Sequence, residues 1–146
     1  MSAPRVARPC AFVFVRAGDR VLVSAMREPG GGGFYRPPGG GIEFRETATE
    51  AARRELREEL DLDVATTRLL GVLENIFTFG GDPRHEICFV FEAWVDDGTL
   101  DALDGRRILE PAAPDDIEIA TAIGLDELRA GPLPVYPDGV LDLLSP

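Results

Sequence analysis

Residues 39–62 read GGGIEFRETATEAARRELREELDL, and this stretch decides how the rest of the chain is to be read. Its second half is a helix. Thr47 followed by Glu50 is a capping-box pattern, in which each side chain satisfies a free N–H of the other residue. Ala48, Ala51, Ala52, Leu56 and Leu60 then recur at helical spacing, giving an apolar stripe to face a core. Glu55, Glu58 and Glu59 stand at i, i+3 and i+4, so their carboxylates share one face, expected opposite that stripe. Like charges at this spacing cost a helix about 0.2–0.5 kcal/mol per pair. A divalent cation would reverse that cost, because Mg²⁺ favours a few carboxylates plus water and phosphate oxygens. Carboxylates on a helix are also often merely solvated, with Glu50–Arg54 and Arg54–Glu58 as i,i+4 pairs. The helix alone leaves both readings open.

Working outward, residues 10–15 and 21–26 read as two strands joined by an Ala-Gly-Asp turn. A glycine loop at 29–33 follows, then a second glycine run and a short strand at 42–44. After the helix (residues 47–60) come two longer strands, 69–79 and 86–95, joined by Gly80-Gly81-Asp82-Pro83. Residues 96–116 weaken into polar loop with one short strand. Residues 116–123 read as a further strand, 126–129 as a helical turn and 137–144 as a docking C-terminal helix. Strands with one main helix between them make a mixed α/β arrangement.

The spacing Gly40, Glu46, Arg54-Glu55-Leu56, Glu58-Glu59, Asp61-Leu62 resembles the Nudix box, G-x5-E-x7-R-E-U-x-E-E-x-G-U, where U is aliphatic. Every specified position matches except Asp61, which stands where the box has glycine. The strand pair before the box, the long strands after it, His85-Glu86-Ile87 and the LDEL segment at 125–128 are similar to the family as well. The resemblance implies an α/β/α sandwich, a mixed sheet with a central box helix, spanning residues 1–146 as a single domain. It implies hydrolysis of the diphosphate linkage in a nucleoside diphosphate joined to another moiety: a nucleotide, a dinucleoside polyphosphate or a nucleotide sugar. Carried over residue by residue, it makes Glu55, Glu58, Glu59 and the main-chain carbonyl of Gly39 ligands of Mg²⁺, with Mn²⁺ as the alternative ion. Glu55 doubles as the base, Arg54 orients it, and Glu58 joins them in catalysis. Glu46 is structural, supporting the helix through Arg54. Gly40 and Gly41 let the backbone approach the phosphates. Phe34 and Tyr35, beside the glycine loop, are the candidates to stack on a base.

Asp61 should adopt the left-handed conformation that usually takes glycine at a helix C-terminus, at a small cost. Outside the box, Asp115, Asp116, Glu118, Glu86 and Glu92 are candidates for an extra ligand or base. The family's aromatic residue before LDEL is replaced by Ala122-Ile123-Gly124. Phe77, Phe79 and Trp94 are expected in the core, and the single histidine, His85, at a strand entrance.

Composition sets bounds. A chain of 146 residues with 45% hydrophobic and 28% charged content suits one folded domain. A net charge of −11 repels long nucleic acid, so a phosphorylated partner should be small and met through a cation. No targeting or membrane-spanning segment is visible. Cys10 and Cys88 lie in apolar runs with no metal-ligand or disulfide spacing, as expected of core residues in a reducing cytoplasm. The resemblance leaves three functions: a hydrolase, a catalytically silent nucleotide sensor, and an isoprenoid diphosphate isomerase. A sensor would be expected to have lost box glutamates, and an isomerase needs a catalytic cysteine context that neither Cys10 nor Cys88 offers. A homodimer is common in such proteins.

Overall fold

The computed structural model describes residues 5–27, 32–109 and 118–145. Eight strands are present among them: β1 (Arg8–Ala17), β2 (Arg20–Arg27), β3 (Gly33–Arg36), β4 (Gly39–Gly41), β5 (Arg68–Phe79), β6 (Asp82–Trp94), β7 (Arg107–Ile108) and β8 (Glu118–Gly124). The helices are α1 (Ala48–Leu60), α2 (Asp97–Leu103) and α3 (Leu125–Ala130), with a 3-10 turn at Val140–Leu143. The strands form one sheet in the order β5-β6-β1-β2-β8-β7, with β3 on β2 and β4 on β1. Only β1 and β6 run parallel; the other pairs are antiparallel.

β1 is apolar without alternation because both of its faces are covered, as in parallel sheets. Ala11, Val13 and Val15 pack with Ala51, Ala52, Leu56 and Leu60 of α1 and with Leu100 and Leu103 of α2. Cys10, Phe12 and Phe14 pack on the other side with Leu125 and Leu128 of α3 and with Val140 and Leu144. The sheet therefore has helical structure on both faces, the expected α/β/α sandwich. Truncating a fully buried side chain such as Leu56 costs about 2–5 kcal/mol.

The box helix forms as its sequence dictates. Thr47 and Glu50 make both reciprocal bonds of the capping box. At the far end Asp61 has φ 52° and ψ 41°, the left-handed conformation expected there, and its N–H donates to the Arg57 carbonyl at 3.0 Å. Elsewhere the structure corrects the reading. The short strand expected at 42–44 is instead β4, because Gly41, Gly40 and Gly39 pair with Cys10, Ala11 and Phe12. The chain then turns away through Arg45, φ 69°. The supposed loop after Trp94 contains α2, started by Asp96, whose carboxylate accepts from the Thr99 N–H at 2.7 Å. The C-terminal helix is only a 3-10 turn. Most of the 29–33 glycine loop lies outside the described residues.

Candidate active site

β4 and α1 meet where the box begins and ends. Gly39 is packed so tightly that a Cβ would collide with Ala11 and Phe12. A Cβ on Gly40 would come within 2.6 Å of the Glu55 carboxylate. At Gly39 the β1 backbone leaves no room for a side chain, and at Gly40, where strand and helix approach, the space is taken by the Glu55 carboxylate. Arg54 ties the two together. Its Nε and Nη2 donate to Glu46 at 2.7 and 2.9 Å, Nη1 to Glu55 at 3.0 Å and Glu58 at 3.2 Å, and Nη2 to the Gly41 carbonyl at 3.0 Å. The hydrogen bonds that Arg54 donates to Glu46 outweigh desolvation and hold Arg54 firmly protonated, and the same bonds hold Glu46 below the usual carboxylate range. Arg54 does not pair with Glu50, which is spent on the cap.

The carboxylates adjoin the apolar stripe rather than opposing it. Glu55 is 8% exposed and Glu59 3%, beside fully buried Leu56 and Leu60. Residues i and i+4 share a face, and 55/59 lies one step of about 100° from 56/60. Burial raises the Glu55 carboxyl against the pull of Glu59 and Arg54. Burial raises Glu59 further, reinforced by its hydrogen bond to Glu55 and the Glu55 charge. The Oε1 of Glu59 is buried with no hydrogen-bond partner. Glu58 is separate, half-exposed and turned to Arg54. Among the described residues no three Asp, Glu, His or Cys side chains already converge as a metal cage. Yet two buried carboxylates, one with an orphaned oxygen, are a costly arrangement that a divalent cation would relieve.

Two residues join this site from the strands. Glu118, at the start of β8, is 6% exposed and accepts from the Ser24 hydroxyl at 2.9 Å. Its charge bears on Glu59, so of the candidates outside the box it lies at the site. Arg36 on β3 was not singled out in the sequence; its Nη2 lies 3.7 Å from Glu118 Oε1, and its charge lowers the Glu59 carboxyl. The signal that would have found it is its place just before the glycine run, on a strand pairing next to Ser24. Glu92 is instead locked to Arg16 and Arg68, and Glu86 accepts from the Cys10 thiol at 3.4 Å. Asp115 and Asp116 lie outside the described residues. Phe34 is buried, edge-on to Phe79 and Tyr136, so its ring is taken up by packing; Tyr35 is half-buried. Phe77 and Phe79 are half-buried, but Trp94 is 56% exposed rather than in the core. Both cysteines are free and buried, and burial, then the Glu86 charge, pushes each thiol up to about 12. Neither supplies a thiolate near neutral pH.

A two-sided sandwich with a capped acidic helix closing on a glycine strand defines a class, and the comparisons agree with it. The NUDIX domain family profile matches residues 6–139, and the chain belongs to that family. It is similar to a MutT NUDIX hydrolase from Burkholderia pseudomallei, with a TM-score of 0.70, 23% identity, and coverage of 97% of this chain and 100% of that one. It is 35% identical over 94 residues to the low-salt glycan biosynthesis protein Agl8 of Haloferax volcanii, covering 62% of this chain and 60% of that protein. It is 44% identical over 46 residues to an 8-oxo-dGTP diphosphatase of Proteus vulgaris, covering 32% of this chain and 41% of the relative. The matches thus span less than two thirds of either curated relative. No helix among the described residues is long and apolar enough to cross a membrane.

Proposed function

We propose that this chain is a Mg²⁺-dependent pyrophosphohydrolase that cleaves the diphosphate linkage of a small nucleotide-like substrate. The observation that carries the reading is the buried Glu55–Glu59 pair, with an unpartnered oxygen on Glu59, set against Gly40. Glu55, Glu58, Glu59 and the Gly39 carbonyl would hold Mg²⁺, or Mn²⁺ in its place. When bound, the ion neutralises phosphate charge and lowers the pKa of coordinated water. The rest belongs to the chain. Arg54, anchored by Glu46, fixes the Glu55 carboxylate, which accepts the proton of the attacking water. The raised Glu55 carboxyl suits that task better than an ordinary surface carboxylate. Gly40 and Gly41, as substrate-contacting backbone, bring the Glu55 carboxylate and the Arg8 guanidinium against β4 beside the phosphates. Tyr35 is the better ring to stack on a base, and Glu118 is a second proton acceptor within the site. The two free, buried cysteines suit a reducing cytoplasm.

The test is a product assay on nucleoside triphosphates (oxidised ones included), dinucleoside polyphosphates, ADP-ribose and nucleotide sugars. Each is run with Mg²⁺, with EDTA, and with Glu58→Gln. Turnover that needs both metal and Glu58 is the expected result, and the best substrate sets the class. Binding of a nucleotide with metal but no turnover of any compound would sink the hydrolase reading in favour of a sensor.

A further inference from the structure

A cleft of about 500 Å³ lies away from the box carboxylates, between the segment entering β1 and the β5–β6 hairpin end. Three arginines line it, Arg5, Arg8 and Arg84, together with His85. In a chain of net charge −11, such a concentration of cations is out of keeping with the surface at large. The cleft's two carboxylates are engaged: Asp82 pairs with Arg84 at 3.3 Å, and Glu86 accepts from Cys10 at 3.4 Å. No carboxylate among the described residues lies within ion-pair distance of Arg5 or Arg8. His85 Nε2 is buried without a hydrogen bond, and the nearest carboxylate oxygen, on Glu74, is 4.0 Å away. Val6 and Ile76, 73% and 71% exposed, add apolar wall.

The cleft reaches the box through β4. A Cβ on Gly41 would strike the Arg8 guanidinium, as one on Gly40 would strike Glu55. Successive strand residues point to opposite faces, so Arg8 and Glu55 lie on opposite sides of β4. The cleft therefore cannot hold the scissile diphosphate while Glu55 acts on it. It is placed for a group one sugar or nucleoside unit beyond.

We propose that Arg5, Arg8 and His85 form a phosphate-binding subsite for the non-scissile end of the substrate. Arginine matches phosphate by paired N–H donors, and a free guanidinium keeps that capacity for a ligand. The substrate class is thereby narrowed to diphosphates whose distal group carries its own phosphate. This rests on the hydrolase reading above, and two measurements separate their failures.

The protein has one histidine, so its imidazole signals in NMR report on this cleft alone. Inorganic phosphate is titrated in EDTA, where no divalent ion can bridge it to the box. The His85 signals are expected to shift saturably in the wild type and not in Arg5→Ala/Arg8→Gln. The second measurement compares the panel's best substrate with its analogue bearing a phosphate monoester on the distal group, ADP-ribose 1″-phosphate in the case of ADP-ribose. The double variant is expected to raise KM for the phosphorylated member about tenfold more than for the plain one, with kcat little changed. If nothing turns over, the same contrast is read as dissociation constants by calorimetry; the hydrolase reading then fails while the subsite stands or falls alone. An unmoved His85 signal, or a shift with no contrast between the paired ligands, would overturn the proposal. The latter outcome would leave a site for free phosphate only.

Discussion

Two pairs of ionisable side chains are buried in this sandwich, and they are finished in opposite ways. Arg16 is 1% exposed and Glu92 2%, at the far end of β1 from Gly40. Arg16 Nη1 donates to Glu92 at 3.5 Å and to the Ser145 carbonyl at 3.2 Å, while Nε and Nη2 reach the Gly18 carbonyl at 3.2 and 3.1 Å. Glu92 Oε1 also accepts from Arg68 Nη2 at 2.6 Å and Trp94 Nε1 at 3.2 Å, and Arg16 stacks over the Trp94 ring at 4.3 Å. The charges are opposite and every polar atom is used. Glu55 and Glu59 are two acids that share a proton in the hydrogen bond between them, and they leave an oxygen of Glu59 orphaned. The first pair is a closed structural knot. The second gives away stability that only a ligand restores, which is the expected mark of a site rather than a scaffold.

The largest expected effect breaks the closed pair. Arg16→Met leaves the buried Glu92 carboxylate to Arg68 and Trp94 alone and should cost about 3 kcal/mol in urea denaturation, the low end for a broken buried pair. Replacing both, Arg16→Met with Glu92→Met, should recover much of that loss, because two apolar side chains need no partners. A cost below about 1 kcal/mol for Arg16→Met alone would refute the view that this network holds the sheet end together.

The open pair should answer in the reverse sense. In EDTA, Glu59→Gln is expected to be at least as stable as the wild type, by up to about 1 kcal/mol, since it removes a carboxyl that burial forces to take up a proton on folding. Mg²⁺ at about a hundred times its dissociation constant should add about 2.7 kcal/mol to the wild type, read as a rise in Tm, and far less to Glu59→Gln. Equal stabilisation of both proteins would place the ion elsewhere.

Acid titration sharpens the contrast further. Burial alone would raise the Glu92 carboxyl, but hydrogen bonds from Arg68 and Trp94 and the charges of Arg68 and Arg16 outweigh it, and the net shift is downward. A lowered carboxylate contributes stability that is fully present above the unfolded pKa, about 4.3. That contribution is lost as pH falls through the lower folded value. Stability measured from pH 5 downward should therefore fall less steeply in Glu92→Gln than in the wild type. An unchanged slope would mean that Glu92 gains nothing from its partners.

What was readable in the sequence follows the same divide. The box helix was legible from Thr47 to Asp61 because its signals are local: a cap, a period and a terminal conformation. Helix α2 was not read, although Asp96 before Thr99 and the Leu100–Leu103 spacing announce it, because Gly98 and a short length weaken the period. β4 has no strand propensity at all; three glycines pair there only because β1 and Glu55 leave no room for anything larger. The burial of Arg16, and the approach of Arg36 and Glu118 to Glu59, depend on register between strands remote in the chain. No local pattern encodes that register.

The smallest effect separates the fold of the box from its chemistry. Asp61 is exposed and lies beyond the last turn of α1, held left-handed by the bond from its N–H to Arg57. An ordinary L-residue pays about 1–2 kcal/mol there, and aspartate somewhat less. Asp61→Gly removes that strain but frees the unfolded chain, so a net gain of about 0.5 kcal/mol is expected. Asp61→Val, β-branched at positive φ, should instead lose about 1 kcal/mol or more. Both variants should retain the wild-type kcat, because neither alters a carboxylate or Arg54. If Asp61→Gly lost activity while gaining stability, the aspartate would have to be counted with the site's acids. The departure from the box would then be a functional substitution rather than a tolerated strain.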